Sequence, residues 1–346
     1  MNGIPIIFPL NSMTEVNKKV RFCLVSLQPP WEGHGKKYRL ETNHIEFWAT
    51  VMGGTCYCGP AFDNDFYNLD YDYFNEFDIV MIALRDELID VGLKIKKLAS
   101  PKVVIFLDAE IEHFTCNMRR ELQPGMIELL NVADAVAVLH DETIPLLKLL
   151  TTKPVGLVGL PFPLERVRKI CPPVQKTEEI ELGSIMGASW LRNRNGLVNV
   201  TALSEIGMPG TVDIWHPVEI LYVESMREFV SIPPIRYRGA FGWQDYITEA
   251  NKSHLGLHLD FRLTWGRFPV DCAGVRMPCV APSTLYTQKK LFPGLCVAYY
   301  DLEHVKELVI RLVSESKFYE ETVAYAESQL SFFSPQKTRE RLFNLL

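Results

Sequence analysis

The sequence predicts an α/β protein with two domains, each built on a parallel β-sheet with helices on both faces. Short apolar runs typical of buried strands alternate with helical stretches over residues 20–159, and the alternation resumes at residue 182. The segment between them is rich in proline and charge and follows neither period, which is typical of a linker. The length of 346 residues is enough for about two domains, and 47% hydrophobic residues provide a core for each.

The composition argues against several classes of protein. The formal net charge of −6 gives no electrostatic case for nucleic-acid binding. No apolar run approaches the ~20 residues of a membrane helix. Residues 1–10 lack the basic residues of a signal peptide and contain Pro5 and Pro9. The eight cysteines show neither a CxxC motif nor a Cys/His zinc spacing, so a reducing, cytoplasmic location is expected.

The first domain is predicted to span residues 1–165, with residues 1–19 as an arm or an added edge strand. Apolar runs predict its other strands at residues 20–26, 55–59, 77–84, 102–108, 135–139 and 155–159. Helical periodicity predicts helices at about residues 38–51, 86–99, 117–131 and 143–151. This alternation is typical of a parallel sheet whose connecting helices cover both faces.

A linker is predicted at residues 166–180 and a second domain at residues 181–334. The domain opens with a strand at 182–187, followed by a helix to about residue 206. Further helices are expected at about 303–314 and 317–346. Residues 335–346, the end of the last helix, are candidates to pack back on the first domain.

Residues 230–283 indicate the order strand, helix, strand, loop, helix, strand. The loop, at residues 260–268, follows the carboxyl end of a strand, which is where open α/β sheets bind ligands. The next helix would direct its N-terminus into that space, and helix N-termini favour phosphate groups.

The same stretch contains a strand ending at Gly239, a loop with Gly266, Asp271 at a helix start, and the small residues 272–274 before Pro278. This order resembles the nucleotide-sugar half of GT-B glycosyltransferases of the family 4-like and phage DNA-base glucosyltransferase groups. The resemblance implies two Rossmann-like domains facing each other across a cleft. It also implies transfer of a sugar from a nucleotide-diphosphate sugar, with a UDP-sugar favoured, to a hydroxyl acceptor without a metal or other cofactor.

One position departs from the pattern. Many GT-B enzymes that retain the anomeric configuration carry two glutamates eight positions apart, where this chain has Leu263 and Asp271. The subfamily and the stereochemistry therefore do not follow from the resemblance.

The diphosphate is expected in the segment after the strand that ends at Gly187. Small residues there allow the backbone to approach a ligand. Arg192 and Arg194 follow, and arginine forks match phosphate oxygens with two hydrogen bonds. In the family, an Arg or Lys pair at this place holds the sugar-nucleotide diphosphate. The alternative is a solvated loop with charges on a helix surface.

The resemblance assigns the ribose hydroxyls to Asp271, whose alternative role is to cap its helix. It places Thr264, Trp265 and Gly266 near the phosphates or the sugar, although Trp265 suits a core position equally well. Phe241, after Gly239, is positioned to stack on the nucleotide base, and ordinary packing is its alternative.

The first domain is expected to bind the acceptor and to supply any catalytic base. Asp108 ends a buried strand, so its carboxylate would project from the carboxyl edge of the sheet and could take a proton from a hydroxyl. Glu110 and His113 are neighbouring alternatives. His34, between two glycines, lies where GT-B proteins keep a loop that touches the acceptor or the sugar. The alternatives are a helix cap for Asp108 and an exposed loop for His34.

Three other functions fit parts of the sequence. A nucleotide-sugar epimerase of GT-B shape would need no acceptor, and an inactive GT-B binding or scaffold protein would fit the missing first glutamate. A metal-dependent GT-A enzyme would use a DxD motif such as Asp70 and Asp72. The acceptor is expected to be a carbohydrate or another hydroxyl compound, with DNA disfavoured by the acidic charge, and the oligomeric state stays open.

Overall fold

The computed structural model describes the chain in segments. They are residues 6–7, 20–26, 44–58, 70–108, 113–172, 183–187, 195–213, 221, 224–225, 227–229, 235–238 and 242–346. The chain forms two compact units. The first unit contains Met1–Phe162 together with Phe333–Leu346, and the second unit contains Pro163–Phe332.

The first unit is built on a seven-stranded sheet in the order β1-β3-β2-β4-β5-β6-β7. The strands are β1 (Ile6–Ile7), β2 (Phe22–Ser26), β3 (Thr55–Cys58), β4 (Ile79–Ala83), β5 (Lys102–Leu107), β6 (Ala135–Val138) and β7 (Val155–Leu157). All neighbouring strands are parallel except the edge strand β1, which is antiparallel to β3. Every residue of β2 and β4 is buried, because a parallel sheet is covered on both faces.

Four helices of the first unit connect its strands. They are α1 (Phe47–Met52), α2 (Leu88–Leu98), α3 (Gln123–Val132) and α4 (Ile144–Leu150). Helices α2 and α3 pack closely, since a Cβ built on Gly92 of α2 would lie 2.9 Å from the Leu129 methyl groups of α3. The α/β architecture predicted from the alternating pattern is confirmed.

The second unit is built on a six-stranded parallel sheet in the order β10-β9-β8-β11-β12-β13. The strands are β8 (Ile185–Gly187), β9 (Gly210–Asp213), β10 (Ile235–Arg238), β11 (Leu255–Leu257), β12 (Cys279–Pro282) and β13 (Cys296–Val297). The helices are α5 (Leu164–Ile170), α6 (Gly196–Ile206), α7 (Trp243–Ala250), α8 (Arg267–Gly274), α9 (Tyr286–Leu291), α10 (Leu302–Ser314) and α11 (Ser316–Gln329).

Two sequence-based boundaries differ from the structure. The expected linker begins inside α5, which belongs to the second unit and buries Val167. The helix expected over residues 317–346 is divided: α11 ends at Gln329, and α12 (Pro335–Leu345) begins after a short turn. Proline disfavours helical geometry in the residue before it, so Pro335 starts a new helix instead of continuing the old one.

Helix α12 packs within the first unit against α1, β6 and β7. Its Thr338 and Leu342 are fully buried. The Arg341 Nε donates to the carbonyl oxygen of Val158 at 2.9 Å, and Lys102 Nζ donates to the Leu346 carbonyl at the same distance. Helix α12 therefore belongs to the packing of the first unit.

Each sheet has one point at which the order of its strands reverses. In the first unit this point lies between β2 and β4, and in the second unit it lies between β8 and β11. Open α/β sheets bind ligands at the carboxyl ends of the strands at such a point. Among the described residues, no helix has the length and apolarity needed to span a membrane.

Candidate functional site

The segments that follow the two strands at the switch point of the second unit are joined by a pair of asparagines. Asn195 precedes α6 in the left-handed conformation, with φ 58°. Its Nδ2 donates to the carbonyl oxygen of Leu259 at 2.8 Å, and the Leu259 amide donates to Asn199 Oδ1 at 2.7 Å. Asn199 also donates to the Asn195 carbonyl at 3.0 Å. The start of α6 is thus fixed against the loop that leaves β11.

This loop contains a fully buried carboxylate. Asp260 is 0% exposed, and its Oδ1 accepts a hydrogen bond from the Arg262 amide at 3.1 Å. The same oxygen lies 3.5 Å from Arg262 Nε, and Oδ2 lies 3.7 Å from His258 Nε2. The Thr284 hydroxyl donates to the Asp260 carbonyl at 3.0 Å. A carboxylate out of water needs such partners, so Asp260 organises the loop around itself.

The loop then pairs with the segment that leads into α9. The Thr264 amide donates to the Thr284 carbonyl at 3.2 Å, and the Tyr286 amide donates to the Thr264 carbonyl at 2.9 Å. Gly266 precedes α8 with φ +76°, and an added Cβ would lie 2.9 Å from Leu285 Cβ. Both the backbone conformation and the close approach therefore require glycine here.

Trp265 contributes to packing. Its side chain is 3% exposed and stacks on Tyr286, with the ring centroids 5.3 Å apart and the planes 9° from parallel. The sequence suited Trp265 either to a place near the ligand or to the core, and the side chain is buried as in a core position.

Asp271 lies one turn inside α8, because the helix begins at Arg267. The expectation that Asp271 opens its helix was therefore wrong, since the helix begins four residues earlier at Arg267, directly after the left-handed Gly266. The carboxylate is buried and accepts a hydrogen bond from Trp243 Nε1 at 3.2 Å. Trp243 is the first, half-buried residue of α7, so this contact links the connections that follow β10 and β11.

In the first unit, Asp108 forms a two-pronged ion pair. Its side chain is 5% exposed, and its Oδ2 lies 2.8 Å from Arg85 Nη2 while Oδ1 contacts Arg85 Nη1. Both residues follow the carboxyl ends of strands, Arg85 after β4 and Asp108 after β5. Next to them, His113 Nε2 lies 3.4 Å from Asp86 Oδ1. As a base, Asp108 would first have to release Arg85.

The DxD-like residues have a structural role where they are described. Asp70 caps the turn at Tyr71–Glu76 by accepting a hydrogen bond from the Asp72 amide at 3.0 Å. A second DxD-like pair in the sequence, Asp63 and Asp65, lies outside the described residues. In the part of the chain that the structure describes, no group of three His, Cys, Asp or Glu residues could hold a metal ion.

Comparison with known proteins gives no match by sequence: no protein-family model and no curated protein matches the chain. Solved structures do match. Sucrose-phosphate synthase from Thermosynechococcus elongatus has a TM-score of 0.71 at 11% identity, over 94% of this chain and 98% of that chain. The α,α-trehalose 6-phosphate synthase from Burkholderia multivorans has a TM-score of 0.69 at 10% identity, with the same coverage.

A third match is an E. coli trehalose-6-phosphate structure with UDP-2-fluoro glucose bound. It has a TM-score of 0.67 at 12% identity, over 94% of this chain and 98% of that chain. These neighbours are GT-B proteins. The chain has the GT-B fold. The resemblance seen in residues 230–283 is confirmed at the level of the fold, and the GT-A alternative is set aside.

Several predicted site residues can be located in this GT-B chain. Gly187 is the buried last residue of β8 and pairs in register with Leu257 of β11. It therefore lies at the switch point, and Thr264, Gly266 and Asp271 belong to the connection and helix that follow β11. The remaining predicted site residues lie outside the described residues: His34, Glu110, Arg192, Arg194, Gly239 and Phe241.

Asp260, Asn195 and Asn199 were not predicted from the sequence as site residues. Asn195 before Gly196 carried a usable signal, because asparagine is enriched in the left-handed conformation and at helix starts. Asp260 carried less, since its burial depends on Thr284 and Asn199, which lie 24 and 61 positions away in the sequence.

Proposed function

We propose that this GT-B chain is a glycosyltransferase. It moves a sugar from a nucleotide-diphosphate sugar to a hydroxyl acceptor without a metal, and the second unit binds the donor. The observation that carries the proposal is the organised carboxyl edge at β8 and β11, where Gly187 pairs with Leu257, Asp260 holds Arg262 and Gly266 sits at a close backbone approach. A UDP-sugar is the favoured donor, in line with the UDP-2-fluoro glucose bound to the E. coli neighbour.

In this proposal, different residues of the second unit bind different parts of the donor. Arg192 and Arg194 bind the diphosphate and neutralise the charge that develops as it leaves, which a metal ion does in other transferases. Asp271 binds the ribose hydroxyls, and its bond to Trp243 holds the carboxylate in place. Phe241, after Gly239, stacks on the base.

The acceptor, a carbohydrate or another hydroxyl compound, belongs to the first unit in this proposal. The ion pair with Arg85 gives Asp108 a second role, to hold the guanidinium, and leaves His34 and Glu110 as the other candidate bases. One structural neighbour, trehalose-6-phosphate synthase, is described as transferring with retention. Retention here would remove the need for any of these bases.

Two alternatives share the fold. An epimerase would release a free epimerised sugar without an acceptor. An inactive binding protein would hold the nucleotide without turnover, which the absence of a carboxylate at Leu263 favours. The cytoplasmic location expected from the cysteines is part of the main proposal.

The first experiment is a thermal-shift panel with UDP, GDP, ADP, CDP and TDP. A ligand that binds the folded state stabilises it by RT ln(1 + [L]/Kd), about 2.7 kcal/mol at one hundred times Kd. One diphosphate, UDP, is expected to raise the melting temperature, and an Arg192→Ala/Arg194→Ala variant is expected to lose the shift. Lys252→Ala is the control, because it removes a positive charge from an exposed lysine that precedes β11 at the amino edge of the sheet. No shift with any diphosphate would contradict the proposal.

A further inference from the structure

The loop from Leu259 to Arg262 is fixed by contacts from three directions. Asn195 and Asn199 hold Leu259 from the side of α6, with bonds of 2.8 and 2.7 Å. Thr284 holds the Asp260 carbonyl from the side of β12. Within the loop, the Asp260 carboxylate bonds to the Arg262 amide. The position of Arg262 is therefore set by the fold and not by solvent.

Arg262 differs from an ordinary surface arginine, because most of its side chain is buried. Its side chain is 12% exposed, and its Nε lies 3.5 Å from a carboxylate that is 0% exposed. Surface arginines gain little from such pairs, whereas a guanidinium that has already lost most of its water binds anions more strongly. His258 faces the other carboxylate oxygen at 3.7 Å, so Asp260 lies between two basic side chains.

The sheet order relates Arg262 to the rest of the proposed donor site. Trp243, the half-buried aromatic residue at the start of α7, follows β10, and Arg262 follows β11. The order β10-β9-β8-β11 separates these strands by three spacings, or ~14 Å at ~4.8 Å each. An extended ligand with its base at the aromatic end would place its terminal phosphate near the β11 end.

We propose that Arg262, positioned by the buried Asp260, binds the terminal phosphate of the donor's nucleoside diphosphate and makes the site select diphosphates over monophosphates. Asp260 acts as a positioning residue, because it touches Arg262 and not the ligand. This inference rests on the proposed function, since it deepens the description of the same site.

The test measures binding of UDP, UMP and uridine by calorimetry to the wild type and to Arg262→Ala, Arg262→Lys and Asp260→Asn. Arg262→Ala is expected to weaken UDP binding about tenfold or more, the usual effect of losing a charge-assisted hydrogen bond, and to leave UMP and uridine unchanged. Arg262→Lys is expected to restore part of the loss, since lysine keeps the charge without the fork. Lys252→Ala again serves as the control.

Asp260→Asn is expected to weaken UDP binding in the same sense, and the Asp260→Asn/Arg262→Ala double variant to be no weaker than Arg262→Ala alone. If Arg262 and Asp260 only stabilised the loop, their variants would lower the affinity for UDP, UMP and uridine together, and this outcome would overturn the inference. UDP binding that Arg262→Ala leaves intact would overturn it too, while the proposed function stands. A wild type that binds none of the nucleoside diphosphates would overturn both.

Discussion

Asp108 shows how a residue can lie where its sequence context predicts and still have an unexpected partner. Its carboxylate is buried at the end of β5, and both of its oxygens contact Arg85. We expect Asp108→Asn to lower the free energy of unfolding by about 2 kcal/mol. This is less than the full cost of breaking a buried pair, because the Arg85 side chain is 30% exposed. Urea unfolding followed by circular dichroism measures the change.

The matched variant is Asp108→Asn/Arg85→Gln, which removes both charges of the pair. It is expected to recover part of the lost stability, since no guanidinium is left without its carboxylate. If Asp108→Asn unfolds like the wild type but abolishes transfer, Asp108 acts on the acceptor after all and the ion pair is secondary.

Gly266 offers a second test at a single residue. Its φ of +76° and the 2.9 Å distance from an added Cβ to Leu285 Cβ predict that Gly266→Ala suffers both backbone strain and a clash. Gly207 is the matched control, because it has φ +72° and nothing within 4 Å of an added Cβ. Gly207→Ala is expected to cost about 1 kcal/mol, and Gly266→Ala about 1–3 kcal/mol more.

Denaturant unfolding of both variants gives the difference, which isolates the clash from the strain. Equal losses would show that the loop before α8 yields to the added methyl group. In that case Gly266 would be required only for its backbone conformation.

The residues of the site differ in how far the sequence could reveal them. Gly266 and Asp271 could be predicted as site residues because their types and spacing follow a local pattern along one loop and one helix. The partners of Asp271 and Asp260 were not found, because they come from other connections: Trp243 precedes Asp271 by a whole helix and strand, and Thr284 follows β12. A local sequence pattern shows whether a residue lies in a loop, a strand or a helix. Its contacts with other connections depend on the order of the strands in the sheet.

At the scale of elements, the turn between α8 and β12 contains an unusual residue. Arg276 has φ 57°, a conformation that side chains with a Cβ rarely adopt. Its Nη1 lies 2.6 Å from Glu327 Oε2 on α11, and the Tyr319 hydroxyl donates to the neighbouring His254 carbonyl at 2.8 Å. Burial raises the pKa of the Tyr319 hydroxyl far above its usual value, so it stays a hydrogen-bond donor. These contacts hold the strained turn against α11.

The strain and the ion pair can be separated by two substitutions. Arg276→Ala and Arg276→Gly both remove the contact with Glu327, but only alanine keeps a Cβ at positive φ. We expect Arg276→Ala to be less stable than Arg276→Gly by about 1 kcal/mol. Thermal and urea unfolding of the two variants measure the difference. Equal stabilities would mean that the turn relaxes to another conformation once the guanidinium is gone.

The strands were predicted more accurately than the helix boundaries, for a physical reason. Strands such as β4 and β5 are buried on both faces along nearly their whole length, so they read as continuous apolar runs. Helix starts depend on single residues. α8 begins at the left-handed Gly266, and α12 begins at Pro335 with Ser334 as its cap.

At the scale of the whole molecule, helix α12 returns to the first unit and packs on α1, β6 and β7. Leu342 of α12 is fully buried in the first unit, whereas Asn344 on the same helix is exposed. Leu342→Ala is expected to lower the stability of the first unit by about 2–4 kcal/mol, through lost burial and the cavity left behind. Asn344→Ala is the control and is expected to change it by less than about 0.5 kcal/mol.

Hydrogen exchange followed by mass spectrometry distinguishes a local effect from a global one. Leu342→Ala is expected to speed exchange in α1, β6 and β7, against which α12 packs, and to leave the β8–β12 region of the second unit unchanged. Faster exchange in both units would show that they unfold together and that α12 stabilises the chain as a whole. Unchanged exchange in α1 and β7 would contradict the packing of α12 on the first unit.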